Sequence, residues 1–119
     1  MTFIQPRILL RLEGLAVLTF CSVTYGGDGF SWWRFFLVFF VPDLLIAGYA
    51  LGPKVGAHLY NAGHTYFGPF LLWVLAFVGH WGAVWPYLLI WAAHIGFDRL
   101  LGYGLKYETG FKDTHLGRV

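Results

Sequence analysis

Apolar residues fill four long stretches of the chain, near residues 8–25, 32–51, 55–78 and 85–105. Each approaches the roughly 20 helical residues that cross a hydrocarbon core about 30 Å thick. Turns rich in glycine separate the stretches at 26–29, 52–54 and 79–82, and connections this short place consecutive helices antiparallel. The stretches do not alternate apolar and polar residues as a half-buried strand does. The pattern predicts an all-α polytopic membrane protein: one domain, 1–119, folded as an antiparallel four-helix transmembrane bundle.

The composition agrees with this prediction and excludes other classes. Hydrophobic residues make up 58% of the chain and charged residues only 12%, about half the charged fraction of a soluble domain. The formal net charge of +2 is too small for a protein that grips a phosphate backbone. The single cysteine, Cys21, allows neither an intrachain disulfide nor a cysteine zinc site. We therefore expect the lipid bilayer, and no nucleic acid, as its surroundings.

The basic residues predict the orientation of the bundle. Seven of the eight Lys and Arg residues lie outside or near the span ends on one side, and Arg34 marks the other side. The positive-inside rule then places both termini, and the tail 107–119, in the cytoplasm. Tryptophans cluster at the opposite face, where an aromatic belt is expected. These are Trp32, Trp33, Trp81 and Trp85.

Ionisable side chains inside the predicted spans carry the candidate chemistry. They are Glu13, Asp43, His58, His64, His94 and Asp98, accompanied by the neutral Asn61. At a rise of about 1.5 Å per residue, all of them fall in the cytoplasmic half of the bundle. Because such groups are costly to insert in a membrane, they usually face the bundle interior and mark a functional site.

Imidazole and carboxylate donors together predict a site for zinc, manganese or iron. His94 and Asp98 are four residues apart and share one face of a helix. We expect them to bind the metal ion with His64 and His58 from the third span. Three protein ligands with an open position are typical of a catalytic metal site.

The remaining polar residues receive catalytic roles in this hypothesis. Asp43 is expected as a fourth ligand or as a general base, and Asn61 as its neutral polar partner. His115 lies in the tail, on the side from which it can close over the site. The metal ion would polarise a substrate oxygen and lower the pKa of a bound water molecule. The sequence thus indicates a metal-dependent membrane enzyme that acts on a lipid-like substrate.

Several runs of residues resemble one family of small membrane proteins. They are Pro42-Asp43-Leu44, Leu59-Tyr60-Asn61 with Gly63-His64-Thr65, Ala93-His94-Ile95-Gly96-Phe97-Asp98-Arg99, and the ending at 102–117. The sequence is similar here to the domain of unknown function 4260. The resemblance implies a compact four-span, multi-pass protein of the bacterial inner membrane, without an assigned activity. It also implies that the motif positions include Asp43, Asn61, His64, His94, Asp98 and the Asp113–His115 segment.

Two other functions stay open at this point. The first is a non-enzymatic accessory subunit of a larger membrane complex or of a homo-oligomer, with many aromatic side chains for contact with partner helices or a pigment. In that case His64 and His94 are placed to hold a haem between them. The second is a proton-coupled carrier, which we rank last because the outer half of the bundle lacks polar residues to continue a path.

Overall fold

The computed structural model describes residues 5–118, and within them the chain is helical apart from turns and one isolated antiparallel bridge between Lys106 and Thr114. The α-helices are α1 (Pro6–Gly27), α2 (Trp32–Phe39), α3 (Pro53–His64), α4 (Phe67–Gly79), α5 (Trp85–Leu101) and α6 (His115–Arg118). Two 3₁₀ helices, Val41–Leu51 and Gly82–Val84, complete the order. The predicted all-α class is confirmed.

Among residues 5–118, two helical segments are long and apolar enough to cross a membrane: α1, and the continuous segment Trp32–Leu51. The third predicted span, 55–78, is divided into α3 and α4 with a bend of 50° between them, and it counts as a third crossing if the pair is one span. The fourth stretch forms α5, a helix of 17 residues that is largely buried inside the protein. Large apolar side chains cover the outside, for example Leu37 and Phe77, which are 73% and 72% exposed. Such a surface is typical of contact with lipid or partner helices.

Helix α5 forms the centre of the fold, and α1 packs antiparallel along it. At one end, Arg11 Nε donates a hydrogen bond to the Leu100 carbonyl at 2.8 Å, and at the other Trp85 Nε1 donates to Asp28 Oδ2 at 2.8 Å. Between these ends the helices cross at Gly14 and Gly96. A Cβ atom on Gly14 would lie 2.6 Å from the Gly96 carbonyl oxygen, so only glycine permits this approach. Small residues commonly allow membrane helices to pack backbone against backbone.

The segment Val41–Leu51 and helix α3 form a tight antiparallel hairpin. Pro42 lacks a backbone N–H and opens the 3₁₀ helix, in which the Asp43 amide donates to the Phe40 carbonyl at 3.0 Å. The hairpin turns at Gly52, whose φ of 112° is favourable for glycine alone. As a result, Asp43 at the start of the hairpin lies beside His64 at its end.

Helix α3 ends at His64 because Thr65 adopts an extended conformation, with φ −105° and ψ 142°. Arg99 of α5 donates a hydrogen bond from Nη2 to the His64 carbonyl at 2.9 Å. The last carbonyls of a helix have no partner within it, so this buried guanidinium satisfies one of them. The bend within the third predicted span is therefore held by a contact between distant parts of the chain.

Candidate metal centre

Four donor atoms converge from three elements of the fold. Asp43 comes from the 3₁₀ segment and His64 from the end of α3, while His94 and Asp98 lie one turn apart on α5. The four donor atoms all lie within 4.8 Å of one another. His64 Nε2 is 3.0 Å from Asp43 Oδ1 and 3.4 Å from Asp98 Oδ2, and His94 Nε2 is 3.3 Å from each of these oxygens. The two Nε2 atoms are 3.1 Å apart.

The hydrogen bond on the far side of His64 determines what its Nε2 atom can do. His64 Nδ1 is 2.7 Å from the Tyr60 carbonyl oxygen, and because that oxygen only accepts, Nδ1 carries the proton. In the neutral ring Nε2 is then a bare acceptor. It faces two carboxylate oxygens, which are also acceptors. A cation between the four donor atoms would attract all of them, whereas a proton on His94 Nε2 forms only one hydrogen bond at a time.

The donor separations agree with the size of a transition-metal ion. Ligand distances of about 2.0–2.1 Å place tetrahedral zinc donors about 3.3–3.4 Å apart, and the five distances above range from 3.0 to 3.4 Å. The two carboxylates carry a charge that a divalent cation neutralises, which matters because an unpaired charge in an apolar interior is costly. A backbone carbonyl that accepts from the outer nitrogen of a ligand histidine is also usual in metal sites.

Burial makes the site asymmetric. The side chains of His64 and His94 are 0% and 1% exposed, that of Asp98 is 10% exposed, and that of Asp43 is 36% exposed. Access from outside is therefore on the Asp43 side. The Asp43 side is also formed by the 3₁₀ segment rather than by a regular α-helix.

Packing holds the two imidazole rings in different ways. Tyr60 stacks flat on His64, with ring centres 3.7 Å apart and planes 5° apart. Phe39 meets His94 edge to face at 5.1 Å. Within the described part of the chain, His94 Nδ1 is buried without a hydrogen-bond partner. The His94 ring is thus oriented by apolar contacts and by its neighbours in the cluster.

The C-terminal segment covers the other face of Tyr60. Lys106 Nζ lies 4.4 Å from the Tyr60 ring centre and 3.8 Å from that of Phe111, and it donates to the Phe111 carbonyl at 2.8 Å. Burial lowers the pKa of the Lys106 ammonium group, while the negative charges of Asp98 and Asp43 act in the opposite direction. A continuous stack therefore runs from the tail through Tyr60 to His64.

Asn61 attaches this tail to α3 and does not join the four donors. Its Nδ2 donates to the Lys106 carbonyl at 2.7 Å, and its Oδ1 accepts from the Lys106 amide at 2.6 Å. His115 also lies in the folded tail, where its Nδ1 accepts from the Leu105 amide at 2.7 Å. Burial, followed by the nearby charge of Arg99, lowers the pKa of His115. Both residues hold the folded tail in place.

His58 and Glu13 lie outside the cluster. His58 Nε2 is 2.8 Å from Glu108 Oε1, and both side chains are more than half exposed. Glu13 lies on the exposed face of α1. Of the residues expected at the metal ion, the structure brings together His64, His94 and Asp98 with Asp43, the expected fourth ligand or general base, and it leaves His58 outside.

Sequence reasoning missed three residues that shape the site: Tyr60, Arg99 and Lys106. Tyr60 precedes His64 by four residues, a spacing that places both on one face of a helix, and this was the available signal. The contact of Arg99 with the His64 carbonyl and the burial of Lys106 depend on the tertiary fold.

Comparison with known proteins supports the family resemblance. A family model described as domain of unknown function (DUF4260) matches residues 7–119. No curated protein and no solved structure matches the chain. The match includes Asp43, His64, His94 and Asp98 and extends over nearly the whole sequence, so the chain belongs to the DUF4260 family.

Proposed function

We propose that this protein is a metal-dependent membrane enzyme that hydrolyses an ester in a lipid-like substrate. His64, His94 and Asp98 hold a divalent zinc, manganese or iron ion, and Asp43 provides the fourth donor. The observation that carries the proposal is the position of His64: its Nδ1 bonds the Tyr60 carbonyl, and its Nε2 faces two carboxylate oxygens at 3.0 and 3.4 Å. A cation between these atoms would satisfy all of them at once.

Asymmetric burial favours catalysis over a purely structural ion. Structural zinc sites are usually closed, whereas catalytic sites keep a position that water or substrate can enter. Asp43 is the most exposed of the four donors, so water and substrate would reach the site on its side. Beside a bound ion, its carboxylate would be placed to accept a proton from the attacking water molecule. The ion supplies the polarisation of the ester oxygen and the lowered pKa of the water.

The membrane setting is part of the same proposal. We infer a four-span, multi-pass protein of the bacterial inner membrane with both termini in the cytoplasm. In support, Arg11 contacts the C-terminal end of α5, and Lys106 packs near the cluster through Tyr60. The cluster and these cations thus share one end of the molecule, which the positive-inside rule places in the cytoplasm.

A bare ion fits the cluster better than a haem does. A porphyrin held between His64 and His94 would have to pass where the oxygens of Asp43 and Asp98 lie, and the two Nε2 atoms are only 3.1 Å apart. An accessory role in a larger complex or in a homo-oligomer is the alternative to an enzyme. Stoichiometric copurification with other membrane proteins, without turnover of lipid by the isolated chain, would favour that alternative.

Hydrolysis can be tested with isotopically labelled water. The protein is purified in mild detergent without chelator, supplied with a bacterial lipid extract in ¹⁸O-water, and the products are analysed by mass spectrometry. We expect ¹⁸O in one lipid product, loss of that signal with a chelator, and restoration by metal. Metal-loaded protein that leaves every ester class unlabelled would contradict the proposal.

Two variants provide the matched comparison for this assay. Asp98→Asn removes a ligand charge from the buried side of the cluster and is expected to abolish the labelling. His58→Ala removes an exposed imidazole that contacts Glu108 and is expected to retain it. Equal loss in both variants would indicate that the assay reports general damage.

A further inference from the structure

An apolar cavity of about 460 Å³ lies between the 3₁₀ segment and helices α2, α4 and α5, and Gly63 of α3 also lines it. Its size falls within the range of about 300–1,000 Å³ that is typical of small-molecule sites. Its walls include Val38, Val41, Leu44, Leu45, Leu72 and Trp91. Leu44 and Val41 are 71% and 49% exposed, so this side of the cavity opens to the surroundings of the protein.

The walls offer an occupant little except apolar contact. Trp91 is one of two lining residues with a polar side-chain atom, and its Nε1 donates to the Gly63 carbonyl at 2.6 Å. The other is Tyr87, whose ring lies 5.4 Å from the Arg34 guanidinium carbon. A polar ligand would lose its hydrogen bonds to water on entering such a site. The walls therefore favour a hydrocarbon occupant.

Two residues that line the cavity, Pro42 and Gly63, are each followed in the chain by a donor residue, Asp43 and His64. On α5 the cavity extends from Trp91, one turn before His94, to Tyr87, seven residues before it. At about 1.5 Å per residue, Tyr87 lies about 6 Å from Trp91 and about 10 Å from His94 along the helix. An occupant along this path would have its far end among apolar side chains and its near end beside Pro42 and Gly63, the chain neighbours of Asp43 and His64.

We propose that the cavity binds one acyl chain of a membrane lipid, with the ester end of that chain at Asp43. The proposal deepens the metalloenzyme hypothesis, because the metal centre is the destination of the ester. The chain enters laterally past Leu44 and Val41. A chain running from the polar cluster into an apolar channel has the same polarity as a lipid in one leaflet of the bilayer.

Photolabelling tests this site directly. The probe is a phosphatidylglycerol with a diazirine at the middle of one acyl chain. It is added at low mole fraction to detergent micelles that contain the intact protein. We expect labelling of the peptides that contain Leu44, Leu72 and Trp91, reduced by unlabelled phosphatidylglycerol. Labelling that the competitor does not reduce, or that spreads evenly over the exposed apolar surface, would overturn the proposal.

Neighbouring residues of α4 supply the matched variants. Leu72 lines the cavity, whereas Leu71 faces outward and is 47% exposed. Leu72→Trp fills part of the volume, and because exclusion of two methylene groups weakens binding about tenfold, we expect about tenfold less competed labelling. Leu71→Trp should label like the wild type. Equal labelling of the two variants would overturn the proposal, and Val38→Phe gives a second cavity-filling variant if Leu72→Trp does not fold.

Metal analysis of the same samples separates this proposal from the preceding one. Bound metal without competed labelling would overturn the acyl site and leave the metal centre. Competed labelling of protein that binds no metal would overturn the metalloenzyme and leave the acyl site. Competed labelling of metal-loaded protein supports both.

Discussion

The crossing of α1 and α5 allows the most quantitative prediction. Because α1 packs along the helix that carries His94 and Asp98, a change at this crossing also affects the metal centre. A Cβ atom on Gly14 would lie 2.5 Å from Arg99 Cβ, 2.6 Å from the Gly96 carbonyl oxygen and 2.9 Å from the Leu100 amide nitrogen. None of these atoms is the end of a flexible side chain. Gly14→Ala therefore forces the two helices apart without changing any ligand residue.

The expected cost follows from these contacts. Overpacking of a tight interface by one methyl group costs about 1–3 kcal/mol, and contacts with backbone atoms indicate the upper part of this range. Alanine also has a higher helix propensity than glycine by up to about 1 kcal/mol, which offsets part of the cost. Gly27, also in α1, has no atom within 4 Å of its added Cβ. We expect Gly27→Ala to stay within about 0.5 kcal/mol of wild type.

The assay is equilibrium unfolding in mixed detergent micelles, followed by circular dichroism at increasing sodium dodecyl sulfate. Gly14→Ala should unfold at a lower fraction of this detergent, with a free energy of unfolding about 1–3 kcal/mol below wild type. Metal content at low denaturant should fall as well, since α5 is displaced relative to the hairpin. If Gly14→Ala is as stable as Gly27→Ala and binds as much metal, the proposed crossing and its role are refuted.

Three further predictions concern the C-terminal tail and His58. Asn61→Ala leaves the Lys106 amide and carbonyl without their partner, at a cost of about 1–3 kcal/mol. Trypsin should therefore cleave after Lys106 about 5- to 150-fold faster, and unchanged cleavage would show that the tail is held otherwise. Burial lowers the pKa of His115 in the folded protein. Its neutral ring, which accepts from the Leu105 amide, therefore stabilises the fold at pH values above the ordinary pKa of about 6.5. This stabilisation is lost as the pH falls through the lower pKa of the folded state. Titration of its ring protons by NMR should show this, and a folded pKa at or above 6.5 would contradict it. His58→Ala should keep its metal and lose at most about 1 kcal/mol, because exposed ion pairs contribute little; metal loss would place His58 at the site.

Local patterns explain why part of this structure could be predicted. Mean hydropathy locates α1 and the Trp32–Leu51 segment, because lipid requires long apolar helices. The i,i+4 spacing of His94 and Asp98 predicts their shared face, since both lie within one regular helix. Asp43 and His64 are predicted to lie at the same depth in the membrane as His94 and Asp98, because antiparallel helices bring distant parts of the chain to one depth. The sequence therefore predicts that the four side chains meet.

Tertiary contacts explain the rest. The third predicted span contains a bend at Thr65 that a hydropathy pattern does not register, and the Arg99 contact that holds it comes from 35 residues away. His58 and Asn61 share a face of α3, but that face contacts the folded tail and not the cluster. The tail has no periodic pattern, so its docking through Lys106 and Phe111 follows only from the assembled structure.

The claim that Asp43, His64, His94 and Asp98 form a metal site is tested most directly by elemental analysis. Wild type, His94→Ala and His58→Ala are purified in mild detergent without chelator or a nickel column and analysed by plasma mass spectrometry. We predict about one zinc, manganese or iron ion per chain in wild type and His58→Ala, and almost none in folded His94→Ala. Wild type without metal, or His94→Ala with a full complement, would contradict the account and make the cluster a network of shared protons.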